Sequence, residues 1–457
     1  MNRSKQLGEE NIGKLLFQFS IPAIVGMMVN ALYNVVDRIF IGKGVGSLGI
    51  AGIFVGYPIS LILMAFSMLI GIGGNSLVSI KLGEKKEEEA QKILGNAFIL
   101  LILISASISV IGLIFLEPLL KAFGASKNIL PYSIDYMTII LIGAPMQALG
   151  FGLNNFIRGE GNPKVAMGTM LIGAILNTIL DPIFIFVFKM GMKGAAYATI
   201  ISQGVSAIWV LSYFMGNKSL LKLKRENIKL QGKIVKNIIS IGLAPFSMQI
   251  AASAVTILLN KSLQKYGGDV ATSSMAAINS ITMMILMPIF GINQGAQPII
   301  GFNYGAKKYN RVKETLKLAI IFATIISSTG FIITQTIPEK LIGLFGKNEK
   351  ELIEVGSKAL RIYLSMLPII GVQVISSNYF QATGKPKQAM ILSLSRQVLV
   401  LIPALVILPR LFQLNGVWLA GPISDLVSSI ITAIVLIKDL KHLEEQSIAY
   451  TPRTEEK

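Results

Sequence analysis

Four side chains in this sequence have the types and spacing to do chemistry inside an apolar chain: Asp37, Asn177, Asp181 and Thr199. Each lies in a stretch otherwise built of Ile, Leu, Val, Phe, Ala and Gly. A polar or ionisable group is costly to bury there, which makes it a functional candidate. Asn177 and Asp181 are four residues apart, so on a helix they share one face. Two carboxylates, an amide and a hydroxyl form a set of hard oxygen donors. Such a set suits Na⁺, or a proton shared between the carboxylates. A competing reading pairs Asp37 with Arg38 at the outer boundary, with Asp37 snorkelling to the interface. Other charges in apolar stretches rank lower. Arg396 reads as a residue that holds the second half together, and Asp135, Lys261 and Asp425 as interfacial groups near span ends.

The elements that must position these groups follow from composition. The chain has 457 residues, 53% hydrophobic and only 14% charged, against about 25% charged in soluble proteins. Twelve apolar stretches are each long enough to cross a bilayer, which takes about 20 residues. They lie at 15–41, 50–80, 93–116, 131–157, 165–188, 194–216, 236–260, 271–304, 318–337, 356–380, 388–409 and 416–437. Their apolar residues do not alternate with period two, so helices are expected rather than barrel strands. The short charged N-terminus runs into a full-length span with no small-residue cleavage site, so no removable signal peptide is expected. There is no cysteine and the one histidine, His442, lies in a polar tail. Disulfides and thiolate metal sites are excluded. No G-x-x-x-x-G-K-[ST] occurs, which argues against ATP as the driving force. No resident cofactor is expected, and no metal beyond Na⁺ at the four oxygen-bearing residues.

The net charge of +18 is a topology signal rather than a nucleic-acid footprint. Numbered from a cytoplasmic N-terminus, the N-terminal segment, even loops and tail hold roughly twice the Lys and Arg of the odd loops. Both termini are therefore expected in the cytoplasm of a plasma-membrane protein, with attraction to anionic lipid as a secondary effect. Glycines and prolines interrupt several spans; Pro22 and Pro182 are the expected kinks. In this topology Asp37, Asp181 and Thr199 lie roughly 6, 12 and 7 Å below the outer surface. They share one layer.

The chain repeats itself at an offset of 222 or 223 residues. Pro22 returns as Pro245, Gly83 as Gly305, Phe123-Gly124 as Phe345-Gly346, and Gly161-Asn162-Pro163 as Gly384-Lys385-Pro386. Six helices per copy make an even number, so the copies share one orientation, related by a pseudo-two-fold along the membrane normal. The expected divisions are a six-helix lobe at 1–216, a basic cytoplasmic linker at 217–235, a second lobe at 236–440 and a polar tail at 441–457. The linker is expected to be a solvated, amphipathic connector on the membrane surface. The copies differ at the four residues. Asp37 corresponds to Asn260, Asp181-Pro182 to Ile402-Pro403 and Thr199 to Gly421. A packing role would need the acids in both copies, so their loss from the second points to a function of the first.

The segments SIPAIVGMMVNALYNVVDRIFIG, RGEGNPKVAM, NTILDP and QGAQPIIGFNYGAKK together resemble the MATE (multidrug and toxic compound extrusion) transporters, in their bacterial branch, over residues 10–440. The resemblance implies twelve transmembrane helices in two six-helix lobes around a cavity that opens alternately to each side. It implies export of organic, often cationic compounds in exchange for H⁺ or Na⁺. It implies that residues matching Asp37, Asn177, Asp181 and Thr199 form the cation site, and that positions similar to Met27, Asn30, Asn154 and Met170 line the cavity. Methionine suits a pocket for varied ligands. Some relatives carry a second-lobe cation site; here the corresponding places are Ser253 and Ile370, so coupling is expected in the first lobe only. The chain is expected to work as a monomer.

Rival readings are a lipid-linked sugar flippase of the same broad superfamily, an intramembrane enzyme and a channel. A flippase would need a basic cavity for pyrophosphate, and these spans contain few arginines. An enzyme would need a nucleophile, base or metal cluster, and no HExxH occurs. A channel would show repeated filter sequences.

Overall fold

The computed structural model describes residues 3–123, 125–344 and 350–450. The repeat pair Phe345-Gly346 and residues 451–457 of the expected tail lie outside the described residues. Among these residues every regular element is a helix. Ten helices are long and apolar enough to cross a membrane: α1 (Ile12–Gly44), α2 (Leu48–Gly83), α3 (Glu87–Ile114), α4 (Leu130–Gly159), α5 (Pro163–Val187), α6 (Gly191–Met215), α7 (Gly232–Gly268), α8 (Val270–Gly305), α9 (Tyr309–Thr336) and, after α10 (Lys350–Tyr363) and α11 (Leu367–Ala382), α12 (Pro386–Glu445). Helices α10 and α11 meet at 50° and together make an eleventh candidate span. Helix α12 runs for 60 residues, about three bilayer thicknesses at 1.5 Å per residue. It is broken at Gln413, whose backbone leaves the helical region at φ 51° and ψ −131°.

Apolar runs fold this way because lipid offers no partner for a bare N–H or C=O, and a helix satisfies both internally. Large apolar side chains remain on the outside, among them Phe54, Met215 and Met284, as a lipid-facing surface requires. The tight turns after α4 and α11 depend on Gly161 (φ 93°) and Gly384 (φ 70°), a repeat-related pair in the left-handed region where a side chain would be strained. Both Pro22 and Pro182 lie inside helical segments. The stretch after Pro182, Ile183–Val187, winds as a π-helix, and so does Ser395–Leu401, directly before Ile402-Pro403. The wider winding frees backbone groups and is a frequent mark of functional helices.

The chain forms two compact units: Met1–Leu7 with Ile21–Phe246, and Gly8–Ser20 with Ser247–Lys457. The divisions run through α1 and α7 beside the repeat-related prolines Pro22 and Pro245, not through the basic linker. Contacts inside each unit explain this. In the first, Gly73 of α2 lies so close to α7 that an added Cβ would stand 2.2 Å from the Ile238 carbonyl oxygen. In the second, a Cβ on Gly295 of α8 would stand 2.7 Å from the Ser20 amide nitrogen. Lys308 Nζ and Arg311 Nη2 donate to the carbonyls of Gly8 (2.9 Å) and Glu10 (2.7 Å). Gly73 and Gly295 are repeat counterparts, so the same close approach occurs once in each unit.

The linker is mostly irregular: before α7 begins at Gly232 its helical turn is Arg225–Asn227, and it is pinned to the first unit by side chains that take up its bare amides. Glu160 accepts from the amides of Leu220 (3.0 Å) and Leu221 (3.1 Å), and Asn96 Oδ1 from that of Gln231 (2.7 Å). The basic side chains Lys218, Lys222, Lys224 and Arg225 are left exposed.

Candidate functional site

The four residues singled out by type and spacing converge. Asp37, near the end of α1, and Asn177 and Asp181, one helical turn apart on α5, are all buried. Thr199 of α6 is half-buried beside them. Asn177 Nδ2 donates to Asp181 Oδ1 (3.3 Å) and reaches Thr199 Oγ1 at 3.5 Å. Thr199 Oγ1 donates to the Ala195 carbonyl one turn back (3.0 Å), which leaves its lone pairs turned toward the amide. Asp37 and Asp181 meet carboxyl to carboxyl. Arg38 is exposed; Asp37 turns inward to Asp181 rather than outward with its neighbour.

Three oxygens of this group, Asp37 Oδ1, Asn177 Oδ1 and Asp181 Oδ2, are buried and have no hydrogen-bond donor. A buried acceptor without a partner is uncommon and calls for an explanation. Two facing carboxylates cannot both stay ionised without a positive charge between them. The donor set fits either remedy: a proton shared between the carboxyls, or a small hard cation held by carboxylate, amide and hydroxyl oxygens.

Tyr136 of α4 completes the group. Its buried hydroxyl lies beside Thr199 and within electrostatic reach of both carboxylates. Sequence reasoning missed it because a tyrosine near a span end is commonplace at a membrane interface. The depth argument held the missing signal: Tyr136 lies about five residues, roughly 7 Å, into an inward-running span, the layer already assigned to Asp37 and Thr199.

The residues expected to line a cavity divide differently. Met170 of α5 packs on α1 at Gly26, where an added Cβ would meet its Sδ at 2.7 Å. Met27 and Asn30 are half-buried. Asn154 of α4 is buried, with Oδ1 lacking a donor. Gly26 to Asp37 and Met170 to Asp181 are equal separations, so α1 and α5 run side by side for about three turns, roughly 16 Å, from Met170 to the carboxyl pair. Helix bending at Pro22 or Pro182 would therefore be felt at both ends of this contact.

In the second unit Ser253 Oγ bonds only the Gln249 carbonyl of its own helix (3.3 Å), and Ile370 is buried among apolar side chains. Asp135 behaves as an interfacial group, with Lys193 at 3.4 Å, and Lys261 is exposed. Asp425 does not: it is buried, and Arg396 Nε lies 2.5 Å from its Oδ1. The interfacial reading of Asp425 fails: it stands nine residues into the expected span 416–437, at a depth where a carboxylate needs a partner, and Arg396 supplies it.

The family model called MatE matches residues 22–183 and 234–406. The Multidrug export protein MepA of Staphylococcus haemolyticus (strain JCSC1435) is 27% identical over 428 residues, 94% of each chain. Its namesake from Staphylococcus aureus (strain MSSA476) is 29% identical over 404 residues, 88% of this chain and 89% of that one. Among solved structures, the MATE multidrug transporter DinF-BH in complex with the dye rhodamine 6G is 42% identical, with a TM-score of 0.89 over 96% of this chain and 98% of its own. A transporter of the MOP superfamily from Pyrococcus furiosus, described as having a binding pocket of reverse polarity that suggests a different function, is 25% identical, with a TM-score of 0.90 over 96% and 98%.

Proposed function

This chain belongs to the MatE family, and from that premise we propose that it exports organic, often cationic compounds by antiport with H⁺ or Na⁺ through alternating access. As a family member it is a multi-pass membrane transporter and not an enzyme. The observation that carries the coupling assignment is the carboxyl pair with its three donorless buried oxygens. The break at Gln413 divides α12 into two arms that fit the eleventh and twelfth spans, and α10 with α11 fits the tenth, which supports a plan of twelve helices in two lobes. The drug-like substrate is read from the relatives named for multidrug export and from the one solved with the rhodamine dye.

The cycle has three steps. A cation arriving from outside neutralises Asp37 and Asp181. The change in charge shifts the helix segments around Pro22 and Pro182 and lowers affinity for the drug held near Met27, Asn30, Asn154 and Met170. The drug leaves outward, and release of the cation inside resets the carboxyl pair. Coupling is reciprocal, so the drug must disfavour the cation by the same factor.

A flippase is the weaker reading. Of the arginines within the expected spans, Arg396 is engaged with Asp425, and Arg38 lies near the outer end of its span; Arg158, at the end of α4, is engaged with Asn155 Oδ1 (3.2 Å). Export of the same rhodamine dye from vesicles, with proton and sodium gradients imposed separately, tests the proposal. Asp181→Asn should abolish the response to whichever gradient drives the wild type. Full gradient-driven export by that variant would overturn the assignment.

A further inference from the structure

Among the described residues of the second unit, Asp425 is the carboxylate buried within a span, and its surroundings invert those of the pair in the first. Asp425, in the second arm of α12, is buried and paired with Arg396 in the first arm. The counterparts of these two segments in the first unit are α5 and α6, which carry Asp181 and Thr199. Relative to those residues, Arg396 lies six positions before Ile402 and Asp425 four positions after Gly421, so the pair sits one to two turns deeper between the same two helices. The layer that would correspond to the carboxyl pair is filled instead. Asn260 and Ile402 replace the acids. An added Cβ on Gly421 would stand 2.8 Å from the ring of Tyr363, so that ring occupies the place where Thr199 stands in the first unit.

The pair is also locked in place. Ser424 Oγ donates to the Arg396 carbonyl (2.5 Å), and Gln373 Nε2 to Ser428 Oγ (2.7 Å) one turn further on. Neither oxygen of Asp425 is among the buried acceptors that lack a donor. Asp425 is the more enclosed partner: 4% of its side-chain surface is accessible, against a third of that of Arg396.

We propose that Arg396 is a tethered cation which permanently fills, against Asp425, the place that a mobile cation fills against Asp37 and Asp181. The second unit thereby has a fixed charge and does not answer the gradient. Without the arginine, Asp425 becomes a binding site for a small monovalent cation, best matched by guanidinium. The comparison rests on the coupling site proposed for the first unit, but the Asp425 site stands on its own geometry.

The test uses the full chain in vesicles, with export of the rhodamine dye as readout and guanidinium chloride in the low millimolar range against an equal concentration of NaCl. Arg396→Ala should lower export at least tenfold, and guanidinium should restore it severalfold. Arg396→Ala/Asp425→Asn carries no bare charge; it should export within about threefold of wild type and gain nothing from guanidinium. If Arg396→Ala does not accumulate as folded protein while the double variant does, the proposal is supported, because the bare carboxylate is then what the fold cannot tolerate. No rescue of a folded Arg396→Ala, equal rescue of the double variant, or failure of both variants to fold would each overturn it. Thermal stabilisation of detergent-solubilised Arg396→Ala by guanidinium is read alongside. It should persist when Asp181→Asn is added, so loss of the first-unit reading would not be mistaken for loss of this one.

Discussion

The two halves of this protein solve one structural problem alike and one electrostatic problem in opposite ways. At the turn after α4, Glu160 accepts from the Tyr213 hydroxyl, from Ser219 Oγ (2.6 Å) and from two linker amides. At the equivalent turn after α11 the carboxylate has changed sides. Asp439 of α12 takes Lys385 Nζ at 2.6 Å and the Tyr379 hydroxyl at 2.8 Å. Both arrangements clamp the turn to the last helix of its unit, so the clamp is something the scaffold needs. The intramembrane acids are not compensated in this manner. The first unit leaves a carboxyl pair with donorless oxygens, and the second cancels the buried Asp425 with a built-in arginine. What is kept in altered form belongs to the fold; what is present in one half and absent from the other is what the proposed transport cycle uses.

That comparison can be broken at several points. The largest effect is expected from Asp181→Asn, which removes half of the carboxyl pair. Gradient-driven export of the rhodamine dye should fall by at least tenfold with little change in thermal unfolding, and a matching loss of stability would return Asp181 to the scaffold. Next is stability in the second unit. Arg396→Gln leaves a buried carboxylate bare and should cost about 3–5 kcal/mol, whereas Arg396→Gln/Asp425→Asn should come within about 1 kcal/mol of wild type; thermal unfolding in detergent separates the two. Glu160→Ala and Asp439→Ala should each cost about 1–3 kcal/mol through the donors they strand. Only Glu160→Ala should also release the linker, seen as faster proteolysis at its lysines. The same loss from Asp439→Ala would mean that the clamp is not local. Gly295→Ala should destabilise by about 1–3 kcal/mol through overpacking, and Gly73→Ala by at least as much, because both would meet backbone and the Gly73 approach is the closer, 2.2 Å against 2.7 Å. Smallest is Tyr136→Phe, which removes one hydroxyl from the coupling layer. It should shift the cation concentration for half-maximal export by roughly twofold to tenfold, equivalent to about 0.5–1.5 kcal/mol, and leave stability nearly unchanged.

Much of the site was legible in one dimension because a membrane makes polarity conspicuous. Asp37, Asn177, Asp181 and Thr199 stand out against their spans, the four-residue spacing places two of them on one face, and topology gives their depth. Tyr136 did not stand out, since an aromatic ring near a span end is what any membrane helix carries. Asp425 was misplaced for a different reason: it stands nine residues into the expected span 416–437, which is no end position. The linker's basic pattern suggested a solvated connector, but nothing in that pattern shows that Glu160 and Asn96, far away in sequence, take its amides.

Sequence alone determined that this is a duplicated, helical membrane protein whose two copies differ in their buried acids. Hydropathy and repetition are local or periodic properties, and they survive without coordinates. Tertiary structure decided which polar atoms find partners. Hydrogen-bond satisfaction depends on side chains from helices far apart in the chain meeting within about 3 Å. Only folding could leave oxygens of Asp37, Asn177 and Asp181 without donors while giving Asp425 the guanidinium of Arg396.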